Sequence, residues 1–144
     1  MTHYTVMFVC IQNAGRSQMA AAFLREMAGD AVVVRSAGTA PAAHVHPEVI
    51  TAMREVGIDL TAQVPTLLTD ELQREADLAV TMGCGDACPL VRAPVRAWNL
   101  ADPSGQSIEG VRRVRDEIAG LVTDLVAQLR AEGRLSSGSG VPGE

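Results

Sequence analysis

Residues 4–17 read Tyr-Thr-Val-Met-Phe-Val-Cys-Ile-Gln-Asn-Ala-Gly-Arg-Ser. An apolar, β-rich run leads straight into Cys10. Small and polar residues follow, and a helical pattern opens at Ser17. A strand, a short loop and a helix in that order point the loop's backbone N–H groups and the helix N-terminus at one spot. Arg16 adds a planar, permanently charged fork that matches a tetrahedral oxyanion. The same positive field favours the thiolate form of Cys10. The segment therefore predicts an anion cradle with a sulfur nucleophile at its floor. A lone cysteine at a strand end is more often a core residue. The strand before it and the helix after it weigh against that plainer account.

The rest of the chain alternates between short β-rich runs and helical patterns. Along Ser17–Ala28, Ala20, Phe23, Leu24 and Met27 share one helical face. Ala31–Arg35 reads as a second strand, closed by Ser36-Ala37-Gly38-Thr39. Pro47 suits a first helical position, and Gly57 ends that helix near Val56. A short helix is expected over Thr69–Glu75, capped by Thr69 or Asp70. Third and fourth strands are expected at Asp77–Met82 and Val95–Trp98. Ile108, Val111, Val114, Ile118, Leu121, Leu125 and Leu129 mark a long closing helix. This order predicts a single-domain α/β fold over 1–134, a four-stranded parallel sheet with helices on both faces. Residues 135–144 are rich in Ser and Gly and read as a flexible tail. Ligands of such folds bind beyond the carboxyl ends of the strands. Cys10, Cys84 and Asp102 follow strands one, three and four, so all three can meet at one edge.

Bulk properties exclude several classes. At 144 residues the chain can bury one sizeable core. Its formal charge of −5 argues against a nucleic-acid surface, although all twelve basic residues are Arg. No apolar run is long enough to cross a bilayer, and the N-terminus has no secretory pattern. Three cysteines, an odd number, suit catalytic thiols in a reducing compartment, which points to the cytoplasm.

Two further segments carry chemistry. Asp102-Pro103 lies in a run of turn-forming residues and could be an ordinary turn. Beside a thiolate nucleophile it could instead supply the proton for a departing oxygen, since a bound anion helps a nearby carboxyl hold its proton. Met82-Gly-Cys-Gly-Asp-Ala-Cys-Pro89 carries the other two thiols. Zinc would need two more ligands, and His44 and His46 have the wrong spacing for a finger, so no metal is expected. Both histidines read as surface or helix-start residues. Gly83, Gly85 and Pro89 make the cysteine segment pliable, which suits Cys84 and Cys88 as a pair switching between dithiol and disulfide.

With these residues in place, the chain resembles arsenate reductases of the low-molecular-weight tyrosine phosphatase fold, of the thioredoxin-coupled type. The resemblance spans about residues 4–130. It implies a substrate loop formed by Cys10, Ile11, Gln12, Asn13, Ala14, Gly15, Arg16 and Ser17. In that scheme Cys10 is the nucleophile, Arg16 the oxyanion clamp and Ser17 a donor to the thiolate. Asn13 holds the loop's shape, a position where Asn tolerates left-handed geometry. Asp102 becomes the general acid, and Cys84 and Cys88 the relay thiols. The implied substrate is arsenate. The implied electron donor is thioredoxin, or a low-molecular-weight thiol with a redoxin, and no cofactor is required.

This chain also departs from the family's pattern. The relay cysteines lie closer together than in the best-known reductases. Ala20, Ala21 and Ala22 stand where some relatives place an acidic residue that helps bind potassium. Ser104 stands where the phosphotyrosine phosphatases of this fold carry an aromatic. Two other readings stay open on sequence alone. A tyrosine phosphatase would leave Cys84 and Cys88 without a task. A non-enzymatic thiol sensor for oxyanions or metals would leave Asp102 without one.

Overall fold

The computed structural model describes residues 4–83, 94–103 and 105–135. Four strands, β1 (Thr5–Cys10), β2 (Val33–Gly38), β3 (Leu78–Thr81) and β4 (Val95–Ala97), form one sheet in the order β2-β1-β3-β4. Every pairing is parallel. The helices are α1 (Arg16–Ala28), α2 (Pro47–Arg54), α3 (Asp70–Glu75) and α4 (Ile108–Ala131). The fold class is the one expected, a four-stranded parallel α/β sheet covered on both faces.

The two faces are unequal. Period-2 alternation along β1 sends Val6, Phe8 and Cys10 into the larger core, with residues from α1, α2 and α4. Met7 and Val9 point the other way, into a small cluster with Ala76, Ala79, Leu68 and Leu72. Strand β1 is therefore buried at all six positions, as an apolar run without alternation should be. Phe8 meets Trp98 with ring centroids 5.8 Å apart, within the range of favourable tilted pairs. Helix α4 buries Val111, Val114, Ile118, Val122, Leu125, Val126 and Leu129, a stripe at helical spacing, while Leu121 is only partly buried.

Element types agree with the sequence reading, and several boundaries move. The second strand runs over Val33–Gly38, whereas Gly29–Ala31 forms a short 3-10 turn. Ser36, Ala37 and Gly38 belong to that strand because β1 pairs with it as far as Cys10 opposite Gly38. Tertiary pairing overrides the turn preference of Ser and Gly here. Helix α2 stops at Arg54, and Gly57 takes φ +84° just beyond it. Thr69 is the cap of α3, its side chain accepting from Leu72 N at 3.1 Å. The tail expected over 135–144 lies outside the described residues from 136 onward.

The strand order places the chain's reversal point between β1 and β3, whose carboxyl ends sit side by side. This is where open parallel sheets bind ligands. Residues 10–17 leave β1 there, Gly83 follows β3, and Asp102 follows β4.

Candidate active site

The loop between β1 and α1 is shaped by its neighbours. Four of its carbonyls are taken by one passing segment. Thr39 N donates to Cys10 O (3.3 Å), Ala40 N to Ile11 O (2.8 Å), Ala42 N to Gln12 O (3.0 Å) and His46 N to Ala14 O (3.0 Å). With its carbonyls held outward, the loop can turn amides inward. Gly38 permits the close approach, since a β-carbon there would lie 2.5 Å from Ile11 O and 2.9 Å from Asn13 N.

Asn13 takes φ +51°, the left-handed conformation expected of it. Its side chain starts a directed chain of hydrogen bonds. Thr66 N donates to Asn13 Oδ1 at 2.8 Å, which fixes the amide's acceptor end. Asn13 Nδ2 then donates to Ser17 Oγ at 2.7 Å. Ser17 Oγ lies 2.9 Å from Cys10 Sγ, where its hydroxyl can donate to a thiolate. Asn13 N donates to the same sulfur at 3.2 Å. One backbone donor and one hydroxyl therefore meet the sulfur, contacts that a thiolate could accept together. Cys10 is 2% exposed, and Asn13 and Ser17 are fully buried.

Helix α1 begins at Arg16 with no side-chain cap and no acidic residue in its first turn. By contrast, α3 and α4 are capped by Thr69 and Ser107 and carry acids in their first turns. The uncapped N–H groups of α1 need an external acceptor, and an anion in the loop would serve. The Arg16 side chain is buried, and Nη1 donates to Leu100 O at 3.2 Å. Nη2 lies 3.7 Å from Asp102 Oδ2, whose side chain is 57% exposed. Gly83, at φ +90°, lies directly against Nη1, so any β-carbon there would collide with the guanidinium.

A cavity of about 190 Å³ opens above the sulfur, lined by Cys10, Ile11, Gln12, Gly15, Arg16, His46 and Asp102. Of the expected site residues, Cys10, Ile11, Gln12, Gly15, Arg16 and Asp102 face this space. Asn13 and Ser17 stand in the bonded chain that ends at the sulfur, and Ala14 is buried. Cys84 and Cys88 lie outside the described residues, as does Ser104. Among the described residues no group of three or more His, Cys, Asp and Glu side chains is placed to hold a metal. No described helix is long and apolar enough to cross a membrane.

Sequence reasoning passed over four contributors. His46 stands at the start of α2, as expected, but also lines the cavity and bonds to Gln12. Thr66 and Leu100 act through backbone atoms, which no residue pattern reveals. Gln18 is buried behind the loop, its Nε2 donating to Asn13 O at 3.1 Å.

Comparison with known proteins agrees with this geometry. The model of the low molecular weight phosphotyrosine protein phosphatase family matches residues 5–135, and the chain belongs to that family. A putative arsenate reductase of Halobacterium salinarum is 46% identical over 125 residues, covering 82% of this chain and 87% of the relative. Arsenate reductase 2 of Staphylococcus saprophyticus is 40% identical, covering 82% and 92%. The structure of a thioredoxin-dependent arsenate reductase from Corynebacterium glutamicum superposes with a TM-score of 0.79 at 37% identity. That match covers 90% of this chain and 63% of the other.

Proposed function

We propose that this chain is an arsenate reductase that works through Cys10 and a Cys10–Cys84–Cys88 relay, with thioredoxin as electron donor. The observation that carries the reading is the sulfur of Cys10. It accepts from Asn13 N and lies 2.9 Å from the Ser17 hydroxyl, at the floor of a small cavity walled by Arg16 and Asp102, in a chain with two further thiols just after β3. Similarity to arsenate reductases over most of the chain supports the choice of arsenate over a phosphoester.

Arsenate sits with its oxygens on Arg16 and the loop amides. The Cys10 thiolate attacks arsenic and an As–O bond breaks. Asp102 delivers the proton that lets that oxygen leave as water. Cys84 then attacks the sulfur of Cys10. The S–As bond breaks, its electron pair goes to arsenic, and arsenite departs from a Cys10–Cys84 disulfide. Cys88 attacks Cys84, which restores Cys10 and leaves a Cys84–Cys88 disulfide for an external dithiol. A thioredoxin-type protein suits this product because it attacks one sulfur and resolves the mixed disulfide itself. A reducing compartment, the cytoplasm, is where such a cycle runs.

The test is stoichiometric. Reduced protein mixed with arsenate and no external reductant should lose two thiols per arsenite formed. Cys10→Ser should make none while remaining folded. Cys88→Ser should release about one arsenite per chain and then stall as a Cys10–Cys84 disulfide, identifiable by peptide mapping. Loss of phosphate from an aryl phosphomonoester with no thiol consumed on arsenate would favour a phosphatase instead.

A further inference from the structure

The loop that cradles the oxyanion must present donors to it. Gln12 breaks this rule on its face, because its side-chain amide carries a donor end and an acceptor end. An acceptor turned toward an anion would repel it. Gln12 lines the cavity, and its Oε1 lies 3.1 Å from His46 Nε2. A carboxamide oxygen can only accept, so Nε2 carries the proton and donates. That requirement holds whether the imidazole is neutral or charged. The acceptor end of Gln12 is thereby occupied, and its NH₂ group is the end left to meet an oxyanion.

His46 is well placed for this task. Its backbone N–H holds Ala14 O at 3.0 Å, and its ring lies beside Gly15, where a β-carbon would meet it at 3.6 Å. It thus touches the loop at Gln12, Ala14 and Gly15. Pro47 behind it is the first residue of α2, which anchors its backbone in the extended conformation before the helix. The arrangement repeats, at the cavity mouth, the logic of the buried chain below. There Thr66 fixes one end of the Asn13 amide so that the other end serves Ser17.

We infer that His46 is a substrate-positioning residue. It holds the Gln12 side chain so that its amide NH₂, not its oxygen, faces the bound oxyanion. Gln12 is then the group that touches substrate, and His46 acts through it. The inference rests on the oxyanion-pocket reading given above and adds a side-chain donor to the loop amides and Arg16.

The experiment measures binding of inorganic phosphate, an unreactive stand-in for arsenate, by calorimetry, together with arsenate KM and kcat. His46→Ala and Gln12→Leu should each weaken phosphate binding roughly 3- to 10-fold, the loss of one partly exposed hydrogen bond to a charged ligand. Arsenate KM should rise by a similar factor while kcat changes less than about two-fold, because the contact is made before and during the chemical step alike. The double variant should bind no worse than Gln12→Leu alone, since His46 has nothing left to hold. His46→Gln, which restores a side-chain N–H donor, should recover part of the loss.

Unchanged or tighter phosphate binding by His46→Ala would overturn the inference, and the tighter result would mean that the Gln12 oxygen faces the anion. Losses that add in the double variant would also overturn it, because His46 would then act on its own. Gln12→Leu, an exposed change in a loop held by its backbone, decides the matter if His46→Ala fails to fold. A native chain that binds no phosphate would overturn the pocket reading as well.

Discussion

Two sets of arginines in this molecule use the same group in opposite ways. Arg112 and Arg115 fasten α4 to the end of α2 through Glu55. Arg112 Nε and Nη2 grip the carboxylate at 3.0 and 2.6 Å, and Arg115 Nη1 reaches it at 2.8 Å. Arg115 also donates to Ala52 O and Asp116 at 2.8 Å each. These are closed sets of short bonds. Arg16 is at least as buried as either, yet its partners stand further off, a carbonyl at 3.2 Å and a carboxylate at 3.7 Å. A satisfied arginine ties elements together. A buried arginine with long contacts beside a cavity keeps its fork available for a ligand. The contrast separates structural cations from functional ones without reference to motif.

The strongest way to break this comparison is through Asp102, which is the carboxylate facing Arg16 and the proposed proton donor. If the pair were structural, as Glu55 with Arg112 is, Asp102→Asn would lower stability and leave single-turnover chemistry nearly intact. We expect the reverse. Arsenate-driven loss of the first thiol should slow by roughly 10²–10⁴-fold, the range for a positioned general acid. The thermal midpoint should hardly move, since the pair is 3.7 Å long and its carboxylate is largely exposed. Stopped-flow thiol kinetics and thermal melts on the same sample decide between the two.

Next in size is exchange of the cation itself. Arg16→Lys keeps the charge but removes the fork, and reduction should fall by about 10²–10³-fold, as for loss of an oxyanion donor. Arg112→Lys, at the closed cluster, should leave kcat/KM within about two-fold. Equal losses from the two variants would mean that both arginines serve the same role.

A smaller effect is expected at the glycine beneath Arg16. Gly83 and Gly57 have nearly the same backbone, φ +90° and +84°. A β-carbon at Gly57 meets nothing, whereas one at Gly83 runs into the Arg16 guanidinium. Both Ala variants should lose stability by about 1–2 kcal/mol from left-handed strain alone. Only Gly83→Ala should also weaken phosphate binding, by about ten-fold or less, because it displaces Nη1. Calorimetry on the matched pair isolates that term. Equal phosphate affinities would show that Arg16 does not depend on its glycine floor.

These residues also show what could be read from the chain alone. The gathering of Cys10, Asn13, Arg16 and Ser17 at one loop was legible because they lie within eight consecutive positions, where spacing carries geometry. The parallel sheet was legible because short apolar or β-rich runs alternate with segments of helical period along the chain. His46 was not, because its partner Gln12 is 34 residues away and nothing local marks the pair. Thr66 and Leu100 contribute backbone atoms, so their identities hold no signal. The course of β2 through Gly38 was missed for a related reason. Ser, Ala and Gly favour a turn in isolation, and only pairing with β1 draws them into a strand.

The smallest expected effect lies in the closed cluster and concerns acid. Hydrogen bonding from Arg112 first, and then from Arg115, holds Glu55 down at about 2, against an ordinary value of 4.5. The folded chain therefore keeps this carboxylate charged at pH values where the unfolded chain has already taken up the proton. The clasp's contribution is complete above about 4.5 and drains away as pH falls toward 2. Glu55→Gln removes the charge at every pH. At neutral pH it should lower the thermal midpoint by no more than about 4 °C, since the group is solvent-exposed. The gap between native protein and variant should then narrow as the solution is acidified from about pH 5. Phosphate affinity at pH 7 should be the same in both, because this set of arginines fastens helices and leaves the anion to Arg16. A gap that stays constant or widens on acidification would show that Glu55 holds α2 and α4 by packing rather than by charge. A drop in phosphate affinity would mean that the Glu55 cluster and Arg16 are coupled through α2, whose first residue follows His46 at the cavity wall.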